Sequence, residues 1–173
     1  VSYKQGDAAL ALKILNNISE SGLLVTEKAM RRNLMGVILF SKSNYEQAIF
    51  NFDLGLSHST LDEALTAQIY LNLSSSYYKL GFLEKSFVNL KLVQWKTLSD
   101  PEKTKYQKLM FNVAKELGRD EELLESLFLY LIDKKNLAEL KADPYFEHLL
   151  SAFFKLDSRE KVHFIEKYEE NHP

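Results

Sequence analysis

The chain has 173 residues, 46% of them hydrophobic and 27% charged, with 22 basic and 24 acidic side chains and no cysteine. That balance suggests neither a disordered chain nor a disulfide scaffold, and the lack of cysteine excludes disulfides, a thiolate zinc site and a cysteine nucleophile. The formal charge of -2 is interspersed along the sequence, so the average composition carries no footprint for a nucleic-acid backbone or an anionic membrane.

No apolar run approaches the roughly 18 residues of a spanning helix, and Val1-Ser2-Tyr3-Lys4 lacks the apolar core of a signal peptide. A first residue of Val rather than Met points to upstream sequence cut away. Localisation stays open between the cytoplasm and the periplasm as a mature exported fragment.

In chain order, a small residue opens an apolar helix at Gly6, Ser43, Gly81 and Gly118, at intervals of 37, 38 and 37 residues. Five positions later stand Ala11, Ala48, Ser86 and Leu123. Nine later stand Leu15, Phe52, Leu90 and Leu127, and twelve later Ile18, Gly55, Val93 and Tyr130. These offsets share one helical face. The pattern is that of a helix, a tight turn with a left-handed backbone, and a second helix laid back on the first.

The amphipathic runs Glu27–Ser41, Glu63–Lys79 and Glu102–Lys115 supply the first helices. Thr60-Leu61-Asp62-Glu63 and Ser99-Asp100-Pro101-Glu102 read as capping boxes, and Pro144 as a first helical residue. A last hairpin is expected from Pro144–Phe154 and Arg159–Tyr168 around Leu156, with Asp133–Ala142 as a short helix or an extended turn. No segment sustains period-two alternation, so the fold class is all-α. Gly6 has no partner helix before it. Ala8, Ala11 and Leu15 are therefore expected to face solvent or a missing element, and this uncapped end is a candidate contact surface.

Residues around the anchors resemble the tetratricopeptide-repeat family. The stretch from Ala29 to Asp62 carries Gly36, Tyr45, Ala48 and Phe52 at family positions, with Leu39 and Ser43 as departures. The next, from Ala67, carries Leu73, Ser74, Tyr77, Gly81, Leu83, Ser86 and Leu90. The unit from Thr104 keeps Gly118 and Leu127 but has Phe111 and Leu123 at small-residue positions, which predicts a splayed hairpin. The resemblance implies a right-handed α-solenoid of four to five antiparallel hairpins, the first incomplete, in one domain over residues 1–173. The hairpins span about 1–20 (half), 27–58, 63–96, 102–132 and 144–170.

The resemblance further implies a non-enzymatic scaffold whose first helices line a concave groove for a peptide or a partner domain. It assigns to the groove wall Met30, Asn33, Val37 and Phe40, then Gln68, Leu71, Ser75 and Tyr78, then Lys105, Lys108, Asn112 and Lys115. A peptide with an apolar body and an acidic end suits that mixture. The five-residue clamp by which some family members hold chaperone tails meets Asn33, Val37, Asn72, Lys105 and Leu109 here. Two of the five match, so that ligand is set aside.

No catalytic, cofactor-binding or metal site is expected. His58, His148, His163 and His172 are scattered, the glycines are isolated from one another, and Ser74-Ser75-Ser76 lies inside a helix without a nucleophile turn. Glu121-Glu122 and Glu169-Glu170 fall in hydrophilic stretches. The competing reading is an accessory helical domain of a larger bacterial envelope protein, such as a lipoprotein regulator of cell-wall synthesis. A third is a spacer that merely holds two domains apart.

Overall fold

The computed structural model describes residues 5–57, 61–132, 146–162 and 166. The protein is all-helical, 84% helix, with no strand among the described residues. The helices are α1 (Gln5–Asn17), α2 (Val25–Ser41), α3 (Tyr45–Leu56), α4 (Glu63–Lys79), α5 (Leu83–Lys91), α6 (Asp100–Leu117), α7 (Asp120–Ile132) and α8 (Phe146–Lys155), with single 3-10 turns at Glu20–Gly22 and Trp95–Thr97. The chain divides into two compact units, Val1–Tyr106 and Gln107–Pro173, and the boundary falls inside α6.

Three of the four anchors are turns of one design. Ser43, Gly81 and Gly118 have φ of 62°, 78° and 66°, the left-handed region. Each helix before them closes with the same pair of bonds. Ser43 N donates to Phe40 O and Asn44 N to Leu39 O; Gly81 N donates to Tyr78 O and Phe82 N to Tyr77 O; Gly118 N donates to Lys115 O and Arg119 N to Ala114 O. This arrangement satisfies carbonyls that a helix end otherwise leaves open. Gly6 differs, because it is the second residue of α1 rather than a turn.

In the first unit α2 packs on α3, α3 on α4, and α4 on α5. The shared core of α2, α3 and α4 is Ala29, Leu39, Ala48, Phe52, Leu65, Ile69 and Leu73, with Leu12 of α1 against its edge. Burying each large side chain here stabilises the fold by roughly 1.5–3 kcal/mol. Close approach needs small residues. A Cβ on Gly36 would overlap the Phe52 ring. Thirty-eight residues on, Ser74 Oγ donates to Ser86 O at 2.9 Å and Ser86 Oγ to Ser74 O at 3.0 Å, so two buried hydroxyls bind α4 to α5.

The N-terminal end departs from the expectation. Ala8 is buried, and Ala11 and Leu15 are half-buried, because α1 packs on α2. Leu10 and Ile14 are the exposed apolar residues of α1. Arg31 of α2 makes the attachment. Its Nε donates to Leu15 O at 2.6 Å, its Nη1 pairs with Glu20, and Arg32 Nη2 lies 2.6 Å from the same carboxylate.

At α4 the N-cap is Asp62, whose Oδ1 accepts from Ala64 N and Leu65 N; Thr60 lies outside the described residues. At α6 Glu102 Oε2 accepts from Ser99 N at 3.0 Å and from Ser99 Oγ at 2.6 Å, which is the glutamate half of the expected capping box.

In the second unit α7 packs on α8. Phe111, Ala114, Leu123, Leu124 and Ala152 form its core, joined by Phe153 and Leu156. Phe111 and Leu123, the two large residues at small positions, are both buried in that one cluster. After α8, residues 158–162 are helical, opened by Asp157 Oδ1 accepting from Arg159 N and Glu160 N. Half of the expected Arg159–Tyr168 helix (163–165, 167 and 168) and all of Asp133–Ala142 lie outside the described residues.

Candidate functional site

The helices α2, α4 and the start of α6 carry a row of polar side chains that is unusual for being joined from helix to helix. Lys105 Nζ donates to Asn72 Oδ1 at 2.9 Å, and Asn72 Nδ2 donates to Asn33 Oδ1 at 3.0 Å. Asn33 Nδ2 then donates to Gln68 Oε1 at 2.8 Å, and Gln68 Nε2 to Glu102 Oε1 at 2.5 Å. An ammonium only donates and a carboxylate only accepts, so the two ends dictate the orientation of all three amides between them. The result is one directed relay from Lys105 to Glu102.

Electrostatics follow from this geometry. Partial burial disfavours the Glu102 charge. Hydrogen bonds from Ser99 and Gln68, with the nearby Lys105, outweigh that and hold its pKa below the usual carboxylate value. For Lys105 the balance is reversed. Loss of hydration around its ammonium, only partly countered by Glu102, lowers its pKa to about 8. Water still reaches part of the residue. Asn33, only 5% exposed, sits where an unpaired amide would be costly, and both its polar atoms are occupied.

Beside Asn33 the surface turns apolar. Met30 and Val37, one turn before and after it on α2, are exposed, as is Leu34. The relay and these side chains together make a polar strip with an apolar border, all within the first unit.

The predicted wall residues are only partly on such a surface. Met30 and Val37 are exposed, and Asn33, Gln68 and Lys105 are members of the relay. Leu71 and Ser75 are corrections: they are 1% and 6% exposed, and Ser75 Oγ is spent on Leu71 O. The helix α4 lies between α3 and α5 and is covered on more than one side, so these positions are core. Phe40 is half-buried, packed against the core with its ring 5.2 Å from that of Tyr45, and Tyr78 is also half-buried. Lys108 and Lys115 are exposed and Asn112 half-buried, all in the second unit. The Lys115 ammonium lies 5.6 Å from the centre of the Phe111 ring.

Sequence reading set Asn72 aside with the chaperone clamp and missed Glu102, so neither was assigned to the row. A search for amide side chains recurring near the repeat interval would have found the first. Among the described residues no group of three or more His, Asp and Glu side chains is placed to hold a metal ion, and no helix is long and apolar enough to cross a membrane. No protein-family model matches the chain, and no curated protein or solved structure matches it.

Proposed function

We propose that the chain is a stack of helical hairpins of the tetratricopeptide type, and that it serves as a scaffold docking a protein or peptide on the α2, α4 and α6 face of its first unit. Support for the stack comes from the three left-handed turns at Ser43, Gly81 and Gly118 with their matching bond pairs, and from small residues in close contact with the next helix at the corresponding positions Gly36 and Ser74.

The observation that carries the docking reading is the directed relay bordered by exposed Met30 and Val37. Its polar groups are held in fixed directions before a partner arrives, which lowers the ordering cost of binding. Its apolar border supplies contact area that a monomer leaves in water. An extended segment laid on this face meets amides across its middle and apolar side chains along one edge.

Selection of displayed peptides against the chain tests this, followed by cross-linked capture from the source organism. Selected peptides are expected to lose at least tenfold in affinity when Met30 and Val37 are both changed to Ser, exposed positions whose loss leaves the core intact. Peptides that bind the double variant as well as the parent would overturn the assignment of this face.

A further inference from the structure

The average charge of the chain conceals a local imbalance on α5. Between positions 79 and 96 the exposed residues include Lys79, Lys85, Lys91 and Lys96 against a single acid, Glu84, in a chain whose total is -2. The inner side of α5 is spent on Ser86, Phe87 and Leu90, which are buried. Its outer side shows Val88 and Leu92, one turn apart and 57% and 49% exposed, with Phe82 at the N-cap 51% exposed.

Lys85 and Lys91 flank Val88 at three residues on either side, so the cations border the apolar stripe. The Lys85 ammonium lies 5.3 Å and 5.5 Å from the ring centres of Phe82 and Tyr77. Asp53 of α3 acts electrostatically on Tyr77. Lys79, Lys91 and Lys96 have no carboxylate partner among the described residues.

We infer that this outer face of α5, with the turns on either side, docks peripherally on an anionic lipid surface. Charge complementarity selects the occupant. A plane of anionic headgroups meets Lys85 and Lys91 on either side of Val88, is within the reach of exposed lysines in the adjoining turns, and receives apolar side chains singly. A partner helix would need an apolar stripe longer than the two turns that α5 offers. The remainder of the chain carries the surplus acid. This surface is separate from the relay on α2, α4 and α6.

Sedimentation with vesicles tests the inference: phosphatidylcholine alone, and the same lipid with about one third phosphatidylglycerol. The chain is expected to pellet with the anionic vesicles only and to be released by rising salt. Changing Lys91 and Lys96 together to Gln is expected to lower partitioning about thirtyfold, two surface charges at the attraction typical of one lysine each. Changing Val88 and Leu92 together to Ser lowers it as well, with circular dichroism confirming unchanged helix content. Failure to pellet with anionic vesicles, equal binding to neutral ones, or wild-type partitioning of the double Gln variant overturns the inference. So does an acidic amphipathic peptide that binds through Lys91 and Lys96 while vesicles do not.

Discussion

Lys105 and Glu102 stand one turn apart on α6, yet they are connected the long way round, through Asn72, Asn33 and Gln68 on two other helices. Opposite charges at this spacing on a free helix would simply pair. Here each is drawn off by an amide of α4, and the amides meet on α2. The consequence is that three helices share one polar circuit whose members cannot be replaced independently.

Asn33 is the centre of that circuit, and its replacement should be felt at both neighbours. Asn33→Ala leaves Gln68 Oε1 without its donor and Asn72 Nδ2 without its acceptor, at a cost of about 1–3 kcal/mol in urea unfolding. Asn33→Asp should cost more at neutral pH. Aspartate cannot donate to Gln68, whose own amide is committed to Glu102, and a buried charge is added. Equal stability of the Ala and Asp variants would show that the relay has no direction.

Lys105 gives the circuit a pH dependence of known sign. Its folded pKa of about 8 lies below the ordinary 10.5, so between those values the unfolded chain binds more protons. The Lys105 contribution to stability therefore rises as pH climbs from 8 toward 10.5, and it is lost as pH falls through 8. Unfolding midpoints of the parent and of Lys105→Met, compared across this range to cancel other groups, should diverge in favour of the parent. Parallel curves would remove the depressed pKa.

Gly36 is predicted to be intolerant of a single added methyl. An alanine side chain would meet the Phe52 ring, at the centre of the first unit's core. Overpacking of this kind costs typically about 1–3 kcal/mol. Trimming the ring with Phe52→Leu in the same chain should recover part of the loss, so a double-mutant cycle with no coupling would count against the contact.

Attachment of α1 is expected to weaken in acid. Slight desolvation of Glu20 is outweighed by Arg32 and then Arg31, which hold its pKa below the ordinary 4.5. Its stabilising charge is present above 4.5 and disappears as pH falls through the lowered folded value. Hydrogen exchange of α1 amides should accelerate in Glu20→Gln at neutral pH relative to those of α4. Unchanged protection of α1 would assign its attachment to the Arg31–Leu15 bond and the packing of Ala8 and Leu12.

Legibility in the sequence followed the physics of each feature. The bounds Glu63–Lys79 were readable from the amphipathic run and the left-handed stop at Leu80-Gly81, but the cap is Asp62, so Glu63 is the first helical residue and not the third position of the expected box. The turns at Ser43, Gly81 and Gly118 were readable from small residues at constant spacing. Leu71 and Ser75 were misplaced because helical periodicity identifies one buried face, whereas α4 has neighbours on several sides. The relay was hidden for another reason: Asn33, Gln68 and Asn72 look like ordinary surface amides until the fold brings them within 3 Å of one another. The 3-10 turns at Glu20–Gly22 and Trp95–Thr97 carry no periodicity, and went unread.

Trp95 is the sole tryptophan in the chain. It lies just before α6, with the Tyr106 ring 5.4 Å away and the Lys103 ammonium 5.9 Å from its centre. Nature has thus placed a single optical gauge at the seat of the opening turns of α6, those that also bear Glu102 and Lys105. Lifting of these turns would alter the indole's emission, without any label being introduced.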